Sequence, residues 1–168
     1  TLPFVAALAL HATMSERSGL DQKRIKIKWP NDILIDGAKI SGLLIESEVL
    51  TNGVHAIACG FGVNIVHHPE GALYATTDLK TLGLNITPDA LFHSLAKNFA
   101  AILEIWNRGK GFDKIREEWL RHAKGLGEPI TVNLPTEQLH GTFIDIDAHG
   151  CLVFAGSMGE ERIISAGD

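Results

Sequence analysis

Lys28-Trp29-Pro30-Asn31-Asp32, followed after a short interval by Lys39-Ile40-Ser41-Gly42-Leu43-Leu44-Ile45-Glu46, decides how this chain is read. The alternation in Arg24-Ile25-Lys26-Ile27-Lys28-Trp29 predicts a half-buried strand. Pro30 stops it, because proline cannot donate to a strand ladder. Ile33-Leu34-Ile35 then runs into Asp36-Gly37, a pair suited to a type I′ turn, whose two central residues both need positive φ. The chain folds back as a hairpin, so Lys39 returns toward the corner formed by Lys28 and Asp32. Gly42 packs no side chain, which in a strand often marks close approach by a ligand or another backbone. A surface hairpin with solvated lysines and a turn-forming Asn31-Asp32 produces the same pattern, and patterning alone does not choose between the two.

Working outward, residues 3–17 read as a helix with Pro3 in its first turn, an apolar stripe of Phe4, Val5, Leu8 and Ala12, and Gly19 just beyond its end. Downstream, a strand over residues 54–59 enters Gly60-Phe61-Gly62-Val63-Asn64-Ile65. Residues 67–84 show no period and predict a loop containing a short helix. Thr87-Pro88-Asp89 is an N-cap, a first-turn proline and an acid at the positive helix end. Leu91, Leu95, Phe99, Ile102, Leu103 and Trp106 trace one apolar face beyond it. A second helix over 112–123 buries Phe112, Ile115, Trp119 and Leu120 and closes at Gly125 or Gly127. Short strands follow at 130–134, 141–147, 151–154 and 162–165, with turns at Pro135-Thr136, Ala148-His149-Gly150 and Gly156-Ser157. That spacing predicts a small SH3-like barrel. The expected organisation is an α+β domain over 1–126 and a barrel over 127–168.

Composition narrows the function. The 168 residues are 45% hydrophobic and 21% charged, enough to bury a core and too apolar for disorder. No apolar run approaches the ~20 residues of a membrane span. Twenty Asp+Glu against fifteen Lys+Arg leave a net charge of −5. In the last stretch Glu128, Glu137, Asp145, Asp147, Glu160, Glu161 and Asp168 face only Arg162, so no nucleic-acid binding is expected. Cys59 and Cys151 make no disulfide framework, no His/Cys metal motif occurs, and no Walker loop or Gly-x-Ser-x-Gly elbow is found. The expectation is a soluble, cytoplasmic protein without a resident metal.

The three motifs in order, Lys-Trp-Pro-Asn-Asp at 28–32, Lys-Ile-Ser-Gly-Leu-Leu-Ile-Glu at 39–46 and Gly-Phe-Gly-Val-Asn-Ile at 60–65, resemble those of the biotin protein ligases. The helix pair and terminal barrel fall where that family has them. The resemblance implies a class II aminoacyl-tRNA-synthetase-like catalytic portion with ATP and biotin as substrates, Mg²⁺ beside them, and a biotin carboxyl carrier protein as partner. It implies that Lys39 is the cation between the biotin carboxyl group and the α-phosphate. Asp32 then orients and helps deprotonate the acceptor lysine. Lys28, Trp29, Asn31, Gly42, Gly60, Gly62 and Asn64 are implied as ligand contacts, with Asn64 near the adenine or a phosphate-bound Mg²⁺. Trp29 on an alternating strand, and Lys28 with its amine in water, are equally ordinary structural residues.

The family's arginine- and glycine-rich loop and its biotin-holding strand have no counterpart before Lys28. The chain also opens mid-pattern on Leu2-Pro3-Phe4-Val5. The expectation is a truncated ligase, weak or inactive alone, with apolar sheet faces left uncovered. A lipoate or octanoate ligase of the same superfamily and a non-catalytic adenylate-binding module are the alternatives, and a homodimer is allowed.

Overall fold

The computed structural model describes residues 1–134, 136–156 and 159–167. The fold is α+β. Helix α1 (Leu2–Ser18) leads into a four-stranded antiparallel sheet of order β1-β2-β3-β4, made of Ile25–Lys28, Asp32–Ile35, Ala38–Val49 and His55–Val63. Helices α2 (Pro88–Trp106) and α3 (Phe112–His122) follow. A second antiparallel sheet, order β5-β6-β7-β8, comprises Pro129–Asn133, Gln138–Ile146, Leu152–Gly156 and Glu161–Ile164, in the region read as a small barrel. The turns expected at Pro135 and Ser157 lie outside the described residues.

The punctuation residues act as their chemistry requires. Asp36 (φ 51°) and Gly37 (φ 82°) both take the left-handed conformation of a type I′ turn and join β2 to β3. The Thr87 side chain accepts from the Ala90 N–H at 3.2 Å, capping α2, with Pro88 in the first turn. α1 is more deeply buried than one stripe implies. Phe4 through His11 are all buried, since the helix is packed by the first sheet, α2 and α3 together.

Three expectations need correction. Residues 67–84 hold turns and no helix, because their backbone groups bond to β3 and to each other. α3 ends at His122, one residue short of the expected end at 123, and no glycine closes it. Ala123 adopts extended geometry and bridges Ile27 in parallel, with the Lys124 N–H donating to the Ile27 carbonyl at 2.8 Å. The strand beginning near 54 does not stop at Cys59 but continues to Val63, so the Gly60–Asn64 motif is mostly strand.

One core joins the two sheets. Phe4 lies 5.1 Å from the Trp119 ring, and Trp119 lies 6.5 Å from Phe143 of β6. Arg116 on α3 pairs with Asp145 and donates to the Ile146 carbonyl. The first sheet is far more open at its β3–β4 side, where Leu44 is 61% and Ile57 52% exposed.

Candidate functional site

Register places the motif residues. Asp32 of β2 sits opposite Gly42 of β3, which sits opposite Gly62 of β4, so the three form one row across the sheet. Gly60 faces Leu44 one step along. Lys39 and Gly42 are three positions apart and in a regular strand would point to opposite faces. The β2–β3 pairing shifts between Ile33 and Leu34, leaving Ile40 as an extra residue in β3. This bulge re-aims Lys39 onto the face that carries Asp32 and Gly42.

The Lys39 ammonium lies 2.7 Å from Oδ1 of Asp32. Asp32 is only 7% exposed, and a buried carboxylate needs such a partner. Burial works against the charge on Lys39, but the hydrogen bond and charge of Asp32, with a contribution from Tyr74, outweigh it. The ammonium's pKa is therefore raised above the ordinary lysine value. A Cβ at Gly42 would sit 3.4 Å from Asp32 Oδ1 and 3.6 Å from Lys39 Nζ, so a methyl fits but any longer side chain would crowd the pair. The result is a cavity of about 490 Å³ whose floor is Gly42, Gly60 and Gly62 and whose charged end is Asp32 and Lys39. A flat group can lie on this floor while an anion reaches the ammonium.

The segment after β4 turns back over this end. The Lys39 N–H donates to the Ala75 carbonyl at 2.8 Å, and the Thr77 N–H to the Lys39 carbonyl at 2.9 Å. Tyr74 is thereby held with its ring centroid 5.1 Å from Lys39 Nζ. Sequence reasoning missed Tyr74, since no local pattern links an irregular loop to a strand 35 positions earlier. Asn64 anchors the same loop, donating from Nδ2 to the Thr77 carbonyl at 3.0 Å. Asp78, buried, takes the Thr81 N–H at 2.7 Å and His68 Nδ1 at 2.6 Å. Those bonds hold its carboxyl below the usual carboxylate range.

Asn31 lines the cavity and donates from Nδ2 to the Leu43 carbonyl at 2.5 Å. Lys28 faces Asp32 in register but lines a separate cavity of about 320 Å³ shared with the second sheet. Trp29 lines that second cavity too. It is buried, with Nε1 3.3 Å from the Gly150 carbonyl, and so is not brought to the Asp32–Lys39 end. A larger cavity of about 630 Å³ lies on the helical side around His11 and His122, away from every motif residue.

Comparison with known proteins gives a consistent pattern. Residues 2–64 match the biotin/lipoate A/B protein ligase family, and residues 125–168 match the biotin protein ligase C terminal domain. The chain is 38% identical over 174 residues to a biotin--[acetyl-CoA-carboxylase] ligase of Paracoccus denitrificans, covering 98% of this chain and 70% of that protein. It is 29% identical to the bifunctional ligase/repressor BirA of Bacillus subtilis, over 98% of this chain and about half, 51%, of that protein. Its fold superposes on the Aquifex aeolicus biotin protein ligase solved in complex with biotin and ATP, with a TM-score of 0.80 at 22% identity. That match covers 99% of this chain and 68% of the other. Among the described residues no helix is long and apolar enough to cross a membrane.

Proposed function

The chain belongs to the biotin protein ligase family, and from that premise we propose that the glycine-floored cavity binds biotinyl-adenylate, with Lys39 as its catalytic cation and Asp32 as its acceptor-side base. The observation that carries this reading is the Asp32–Lys39 pair at the charged end of a strand surface where Gly42, Gly60 and Gly62 leave the backbone open, beside the exposed Leu44 side chain. In the first step a biotin carboxylate oxygen bonds to the α-phosphorus of ATP and the bond to pyrophosphate breaks. Two anions must approach, and a flexible ammonium neutralises both better than a planar guanidinium tied to one geometry. In the second step the amine of a carrier-protein lysine attacks the acyl carbon and AMP leaves. That amine must first lose a proton, which a neighbouring carboxylate accepts.

Gly42, Gly60 and Gly62 support this reading because they let a flat ring such as the adenine lie against backbone. Asn64 and Asn31 act here chiefly by fixing the loop and the β2–β3 corner around the ligand. Magnesium enters as the companion of ATP. Such an ion is typically bound through substrate phosphate oxygens and water, with few protein ligands.

Calorimetric titration with a non-hydrolysable biotinyl-adenylate tests the reading. Lys39→Ala should weaken binding by ~1.5–3 kcal/mol, the range for a hydrogen bond to a charged group. Equal affinity of wild type and variant, or no binding by the folded chain, would refute it.

A further inference from the structure

We propose that Tyr74 is a positioning residue that holds the Lys39 ammonium beside Asp32 through the face of its ring. The inference rests on the reading of Lys39 given above. A lysine side chain has four carbons of rotational freedom, and Asp32 restrains its ammonium from one side only. The Tyr74 ring, with its centroid 5.1 Å from Nζ, is within cation–π reach, its hydroxyl adds a weaker interaction with the same ammonium, and together they supply a second point of restraint from a different element.

The contact is built into the backbone. Residues on the C-terminal side of Tyr74 bracket Lys39 itself, through the bonds to Ala75 and from Thr77, which make an isolated parallel bridge at Thr76. The loop is then closed on itself by the Thr76 hydroxyl donating to the Pro69 carbonyl at 2.9 Å. The choice of an aromatic ring also has a chemical logic. A second carboxylate would hold the ammonium equally well, yet it would repel the incoming phosphate and carboxylate. A neutral ring steadies the cation and leaves its charge available to an anion.

Nuclear magnetic resonance of the ligand-free chain decides the contact directly. In wild type and in Tyr74→Phe, the Lys39 side-chain methylene protons next to the ammonium should be shifted upfield by the ring. In Tyr74→Leu they should return to ordinary lysine positions. An unchanged Lys39 signal in folded Tyr74→Leu would overturn the proposal.

Titration with the biotinyl-adenylate analogue then separates this proposal from the reading beneath it. Tyr74→Leu should weaken binding roughly two- to five-fold, the scale of one exposed cation–π contact. Tyr74→Phe, which keeps the ring and loses only the hydroxyl, should recover most of the affinity, and adding Tyr74→Leu to Lys39→Ala should cost nothing more. A further loss in the double variant would mean that Tyr74 touches the ligand itself, which would overturn the positioning role. If the methylene signal moves as expected but neither Lys39→Ala nor Tyr74→Leu affects binding, the contact stands and the adenylate reading fails.

Discussion

Asp32→Asn is expected to slow transfer of biotin from preformed biotinyl-adenylate to a carrier lysine by at least ~100-fold, the lower range for a lost general base. Affinity for the adenylate analogue should change only a few-fold. A lysine amine has an ordinary pKa near ~10.4 and is protonated at neutral pH, so the second step needs a proton acceptor at the acyl carbon. Asn preserves the size of the side chain, which is nearly buried opposite Gly42, but cannot take that proton.

The geometry adds an ordering. In the ligand-free chain Oδ1 of Asp32 is engaged by Lys39 at 2.7 Å. An adenylate phosphate that draws the ammonium away frees the carboxylate for the acceptor, so readiness for the second step follows completion of the first. Transfer above the uncatalysed background, measured with purified adenylate and a carrier domain, checks this. A variant that transfers at the wild-type rate would remove Asp32 from the chemistry.

Acid should destabilise the fold through His11. This side chain is 3% exposed in α1, stacked 3.8 Å from the His122 ring, with Nε2 3.2 Å from the Ile25 carbonyl. Burial, reinforced by repulsion from His122, lowers its pKa to about 4, with Lys26 adding slightly and Glu118 and the Ile25 carbonyl opposing. An unfolded histidine titrates near ~6.5. Between those values the unfolded chain takes up a proton that the folded chain refuses. The contribution is therefore full above pH ~6.5 and is lost as pH falls toward 4, to a total of about 3 kcal/mol. Urea unfolding from pH 7 to 4.5 should show this slope in wild type and a flatter one in His11→Gln. Parallel curves for the two proteins would contradict it.

Local chemistry carried much of the fold into view. The Asp36-Gly37 turn, the Thr87-Pro88 cap and the alternation ending at Lys28 each act within a few residues, and each took the expected form. The hairpin also returned β3 alongside β2, with Lys39 near Asp32 in the chain's path. What stayed hidden depends on distant packing. The bulge at Ile40, without which Lys39 would face the core, has no signature in the residues themselves. Tyr74 reaches Lys39 through backbone pairing of an irregular segment. Trp29 alternates correctly for a strand, yet its ring is drawn away from the Asp32–Lys39 end toward the Gly150 carbonyl in the turn between β6 and β7. His11 reads as an ordinary helix residue until α3 sets His122 against it.

Backbone amide shifts recorded while the biotinyl-adenylate analogue is titrated into the folded chain locate the ligand residue by residue. Saturable changes are expected centred on Gly42, Gly60 and Gly62, extending to Lys39 and Asn64 and weakened in Lys39→Ala. Changes centred instead on the helical cavity around His11 and His122, or none at saturating analogue, would contradict that placement.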